Sequence, residues 1–154
     1  MSAIKTDDTV PAGYKPFPIN EGFASHNGPL FLRRADGGRM AVAFRVAKKH
    51  LNGGGVCHGG MLMTLADMAL GMATTFAAGG RKFLPTITMS SEFIRPAELG
   101  QWVEAIGEPL RVTRNLGFAD CRVMADGALV LRASGTLKIP QAEWSVDFNQ
   151  IFAD

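Results

Sequence analysis

Asp67 is the only ionisable side chain in the run GGMLMTLADMALGMATTFAA, residues 59–78. A helix face in water normally carries Lys, Glu or Arg, and this run has none. A carboxylate among so many apolar neighbours loses hydration unless something satisfies it, and such placements concentrate at functional sites. The chemistry it suits is general-base or nucleophilic attack on an activated carbonyl. A purely structural hydrogen bond is the competing explanation.

Just before the run stand His58 and Gly59, in VCHGG. The start of a helix presents unsatisfied backbone N–H groups and the positive end of the dipole. Glycine there lets a carbonyl oxygen approach without meeting a Cβ. Together these make an oxyanion site for acyl transfer. Taken alone, His58 is a helix cap or a loop histidine. The glycines at 53–55, taken alone, are a flexible loop without the GK[ST] ending of a phosphate loop. His26, His50 and His58 are scattered and offer no metal-ligand cluster.

Spacing constrains how these groups cooperate. From Gly59 to Asp67 a helix rises ~12 Å, and a side chain leaning toward the N-terminus recovers only part of that. One subunit does not readily bring its own Asp67 to a carbonyl held at its own Gly59. Two antiparallel helices side by side in a two-fold dimer do, because each start faces the other's middle. Gly60, Thr64, Gly71 and Thr74, on Asp67's side with Met63, are small enough to allow that approach. Met61, Leu65, Met68, Met72 and Phe76 form another stripe, expected to pack on a sheet.

The remaining pattern supplies that sheet. Residues 29–34 and 39–46 read as strands joined by Asp36-Gly37-Gly38, and residues 86–94, 101–110, 115–125 and 128–138 as four more. Asp126-Gly127 is a two-residue hairpin signal. An apolar helix and a one-faced antiparallel sheet are both covered if the sheet wraps the helix. The expected class is therefore α+β, an antiparallel β-sheet around one long central α-helix. Residues 1–22 read as an N-terminal arm, 23–140 as the domain and 141–154 as a weakly patterned C-terminal tail.

The chain's 154 residues fit one domain, and 47% hydrophobic with 19% charged residues describes a globular protein. Sixteen basic and 14 acidic residues are intermixed, which argues against a nucleic-acid partner. The longest apolar run is interrupted by Asp67, Thr and Gly, so no membrane insertion is expected. Two widely separated cysteines and no secretory signal point to a cytoplasmic protein.

The motif N-x5-HGG, with an acid nine positions after the histidine, resembles the hot-dog-fold acyl-CoA thioesterases of the small phenylacetate-pathway type. NGPLFLRR and TITMSSEFIRPAELGQ extend the similarity over residues 23–139. HGG also occurs in lipase oxyanion loops, but no G-x-S-x-G is present. The resemblance implies that Asp67 is the general base or nucleophile, Gly59 the oxyanion glycine and His58 the motif histidine. It implies that Asn52 helps place the thioester or water, and that Thr86 holds the attacking water.

Gly60, Met63 and Phe23 are then candidates for acyl binding, with Phe17, Met72 and Phe76 nearby. Arg95 is a candidate for the coenzyme A phosphates, along with Lys48, Lys49 and Arg81. A homodimer assembling to a homotetramer is implied, with no cofactor beyond the coenzyme A carried by the substrate. Two alternatives stand beside hydrolysis. A hot-dog dehydratase or hydratase would bring an H-F-P-G setting, which is absent. A non-catalytic acyl-CoA-binding protein would not need Asp67.

Overall fold

Alternation of apolar and polar residues builds the long strands, and tight turns join them. In the computed structural model, which describes residues 9–19 and 21–153, β5 (Trp102–Val112), β6 (Leu116–Ala125) and β7 (Ala128–Lys138) form successive antiparallel hairpins. Asp126 at φ 44° and Gly127 at φ 84° make the β6–β7 turn. β1 (Lys15–Pro16), β2 (Phe31–Arg34) and β3 (Met40–Arg45) extend the sheet beyond β5. β4 (Thr86–Phe93) crosses over to pair with β7, giving the order β1-β2-β3-β5-β6-β7-β4, antiparallel throughout. β4 is thus an edge strand, and Ile87 and Phe93 on it are 53% and 54% exposed.

A short helix, α1 (Gly22–Asn27), precedes β2, and the long α2 (Gly59–Ala77) lies across the concave face of the sheet. Length and composition alone would let α2 cross a bilayer, but half of that window is buried inside its own domain. Its apolarity is that of a core helix.

The face that meets the sheet differs from the expected stripe. Leu62, Leu65, Ala66, Ala69, Leu70 and Ala73 are buried there, while Met68 and Met72 are only half-buried and turn aside. The cause is a close approach. A Cβ on Gly107 of β5 would fall 2.2 Å from the Ala69 carbonyl oxygen and 3.0 Å from the Ala73 Cβ. Alanines fit such a contact and methionines do not. Thr74, expected on Asp67's side, is likewise buried, bonding the Leu70 carbonyl at 2.8 Å beside Gly117.

Described residues on both sides of 23–140 pack against it. Of the expected arm, residues 1–8 and 20 lie outside the described residues. Lys15–Pro16 adds a strand to β2, and Phe17 packs on Phe148 with ring centroids 6.1 Å apart. Near the C-terminus, a 3₁₀ turn at Phe148–Phe152 is capped by Asp147, and Phe148 is fully buried.

His50 pins the loop that leads into α2. It is buried edge-on against Phe44, its Nδ1 accepts the Ala47 N–H at 2.9 Å and its Nε2 lies 2.8 Å from the Asn27 carbonyl. That pairing needs the neutral ring with its proton on Nε2. Burial is the main influence lowering its pKa, with Lys49 adding to it and the Asn27 carbonyl opposing. The unfolded chain then takes up a proton before the folded one does. His50's contribution is therefore complete above about pH 6.5 and is lost as the pH falls below it. The urea midpoint should drop between pH 7 and pH 5, and His50→Gln should flatten that slope.

Candidate functional site

The loop before α2 is locked by backbone bonds. The Cys57 N–H donates to Ala97 O at 2.8 Å and the His58 N–H to His50 O at 2.7 Å. His58 is the N-cap of α2, its Nδ1 accepting the Gly60 N–H at 2.8 Å. The Gly60 donor is thereby used, and Gly59 is left as the candidate oxyanion donor at this helix start. The Phe93 ring lies against that glycine, where a Cβ would come within 2.9 Å of it.

Asn52 turns inward on its own loop. Its Oδ1 accepts the Gly54 N–H at 2.9 Å and the Val56 N–H at 3.3 Å, so it shapes the glycine turn. Arg95 is exposed beyond the end of β4. Lys49 donates to His26 O at 3.1 Å, and Arg81 pairs with Glu143 at 3.7 Å.

Two turns into α2 the half-buried Asp67 meets β4. Thr86 Oγ1 donates to Asp67 Oδ1 at 2.6 Å, a charge-assisted bond that fixes the carboxylate's orientation. The pair sits in the wall of a cavity of about 600 Å³, which Gly60, Met63 and Phe23 also line. Five of the candidate residues thus share one space: Asp67, Thr86, Gly60, Met63 and Phe23. His58, Gly59, Asn52 and Arg95 do not line it within one chain. Met72 and Phe17 do, whereas Phe76 packs instead on Phe152 under the Arg34 guanidinium.

Trp144 and Phe148 also line the cavity and were not anticipated from the sequence. The available signal was aromatic spacing: Trp144, Phe148 and Phe152 recur every four residues in an otherwise unpatterned tail. Among the described residues no three His, Cys, Asp or Glu side chains converge as a metal site requires. Both cysteines are buried and unpaired. Burial pushes the Cys57 thiol up to about 11 and the Cys121 thiol up to about 12, away from nucleophilic use.

Chemically, the arrangement is an oriented carboxylate with a hydroxyl beside it, at the wall of an apolar chamber, on a helix whose start offers backbone N–H groups. That suits addition of water to a carbonyl carrying an apolar substituent.

Comparison with known proteins gives the same direction. Residues 54–131 match the family model described as Thioesterase superfamily. A Pseudomonas aeruginosa protein named as a candidate esterase is 33% identical over 131 residues, 85% of this chain and 98% of its own length. Human acyl-coenzyme A thioesterase 13 is 27% identical over 111 residues, 71% of this chain and 79% of its own. Among solved structures, a mutant of the phenylacetic acid degradation protein from Thermus thermophilus aligns with a TM-score of 0.67 at 27% identity, covering 77% of this chain and 98% of that one. The shared architecture, an antiparallel sheet around one long helix, is the hot-dog fold.

Proposed function

We propose that this chain, which belongs to the thioesterase superfamily, hydrolyses acyl-coenzyme A thioesters to the free acid and coenzyme A. The observation that carries the reading is the 2.6 Å bond from Thr86 to Asp67 at the wall of an apolar cavity. The acyl group occupies that cavity and brings the thioester carbonyl to Asp67. Asp67 takes a proton from a water placed beside Thr86, and the resulting hydroxide adds to the carbonyl carbon. The carbonyl oxygen becomes an oxyanion and accepts the Gly59 N–H of a partner subunit. Collapse of the tetrahedral intermediate breaks the C–S bond and releases the coenzyme A thiolate, which is then protonated. Direct attack by Asp67 through an anhydride is the second route to the same products. Single turnover in ¹⁸O water separates the two, since only the anhydride route places label in the enzyme carboxylate.

Sharing the site between subunits follows from the ~12 Å helical rise between Gly59 and Asp67. The exposed apolar side chains of edge strand β4 support a two-fold dimer, whose further pairing gives a homotetramer. His58 and Asn52 act here by holding the loop that presents Gly59, and Arg95 receives a coenzyme A phosphate. The protein works in the cytoplasm, where acyl-CoA is available.

Free-thiol release from a panel of acyl-CoAs tests the activity. Release with at least one acyl group is expected; tight binding without release from any member would leave a binding protein instead. Mixing inactive Asp67→Asn and His58→Ala subunits tests the sharing. In an equal mixture, random exchange makes half of the dimers mixed, each with one intact site of two, so about a quarter of wild-type activity should return, and mixtures that stay inactive would remove the shared site.

A further inference from the structure

The cavity's threonine hydroxyls and its lysine ammonium already donate to the protein. Thr64 Oγ1 donates to Gly60 O at 2.8 Å, Thr75 Oγ1 to Lys82 O at 3.1 Å and Lys82 Nζ to Gln141 O at 2.6 Å. Thr86 and Asp67 are bonded to each other. A hydroxyl or charge on an acyl chain would meet few free donors there and lose most of its hydration. The lumen is matched to plain hydrocarbon.

Its length is set by α2. Asp67 and Thr75 both line the cavity, and eight residues of helix separate them by ~12 Å. With C–C bonds of about 1.52 Å in a zigzag, each chain carbon advances roughly 1.3 Å, so about nine carbons span that distance. Beyond Thr75 the path meets the C-terminal segment. Trp144 packs on Phe83 at 5.1 Å between ring centroids and on Phe148 at 5.5 Å. This wall is strapped to the turn that follows α2. The Trp144 N–H donates to Arg81 O at 2.8 Å, the Phe148 N–H to Gly80 O at 3.1 Å and Asn149 Nδ2 to Gly79 O at 3.0 Å. The end of the chamber is therefore fixed to the helix that carries Asp67. It is built from residues beyond the family match at 54–131.

We infer that Trp144 and Phe148 are the end stop of the acyl cavity, making this protein selective for unsubstituted straight acyl groups of about eight to ten carbons. The inference rests on the hydrolase reading for its substrate and goes beyond it in naming which acyl groups are taken and which residues choose them.

The test measures kcat/KM for the full-length protein over saturated acyl-CoAs from butyryl to palmitoyl, with ω-hydroxydecanoyl-CoA beside decanoyl-CoA. Each added methylene should raise kcat/KM by up to about fourfold until the cavity is full. Palmitoyl-CoA should then fall at least tenfold below decanoyl-CoA, and so should the hydroxylated chain. Trp144→Ala should move the fall to chains longer by two carbons or more. Gly71→Leu adds bulk to the cavity wall one turn beyond Asp67 and should shift the optimum to shorter chains. The same series as non-hydrolysable thioether analogues, titrated calorimetrically into Asp67→Asn with and without Trp144→Ala, reads chain length without turnover. If no thioester is cleaved yet affinity peaks near decanoyl and shifts with Trp144→Ala, the end stop stands and the hydrolase reading falls. If hydrolysis is intact but palmitoyl-CoA matches decanoyl-CoA, or both variants keep the wild-type profile, the inference is overturned.

Discussion

Asp67→Asn should lower kcat for acyl-CoA hydrolysis by roughly 10²-fold or more, the range a positioned general base contributes. The substitution keeps the shape of the side chain and an oxygen able to accept the Thr86 hydroxyl, now 2.6 Å from Asp67 Oδ1. It removes the negative charge and with it the capacity to take a proton. KM should therefore change little, placing the loss in the transition state rather than in binding. Folding should be intact, because Asp67 is half-buried at the cavity wall rather than in the core between helix and sheet. Steady-state kinetics with thermal melts on the same preparations check both halves. A variant with wild-type kcat would refute the role given to Asp67.

Gly107→Ala should be the most destabilising single-methyl change in the sheet, costing about 3 kcal/mol. Gly107 pairs with Met40 on one side and Cys121 on the other, and the added Cβ would sit 2.2 Å from the oxygen and 2.8 Å from the carbon of the Ala69 carbonyl. Those are backbone atoms in the middle of α2, so relief requires lifting the helix from the sheet. Tm should fall by about 6–12 °C for a domain of this size. The contrasting change is Gly71→Ala in α2 itself, whose new Cβ meets only Leu137 Cδ2 at 3.9 Å. A helical glycine replaced without a clash should gain roughly 0.5–1 kcal/mol. The same substitution at two sites thus has opposite signs, and urea midpoints at equal protein concentration read both. Equal effects would mean that helix and sheet are less closely packed at Gly107 than the structure places them.

That contact also explains what periodicity alone leaves unread. The expected β7 span of 128–138 coincides with Ala128–Lys138, and the expected helix of 59–78 ends one residue later than Gly59–Ala77. Alternation, turn glycines and the change of period are local signals, which is why the elements are legible. Which side of α2 faces the sheet depends on Gly107, some forty residues away in sequence. A hydrophobicity pattern ranks Met68 and Met72 above Ala69 and Ala73, but space at the interface reverses that order. Asp67 stands out within its own helix because it is the lone charge there. Its partner Thr86 has no comparable local signal, and crossover strand β4 brings the two together. The end wall is the least legible part, since the four-residue spacing of Trp144 and Phe148 stands alone in a weakly patterned tail and the two acquire their place by bonds of Trp144, Phe148 and Asn149 to the turn at 79–81.

The two sealed sulfurs at Cys57 and Cys121 have a practical corollary for kinetics. Disulfide-exchange dyes react with thiolates, and at neutral pH neither side chain supplies an accessible one while the chain is folded. Colour developed in a continuous assay would therefore count leaving groups rather than polypeptide. The same dye would register both cysteines once the core opened, so one reagent reports catalysis in the native protein and unfolding in a denatured one.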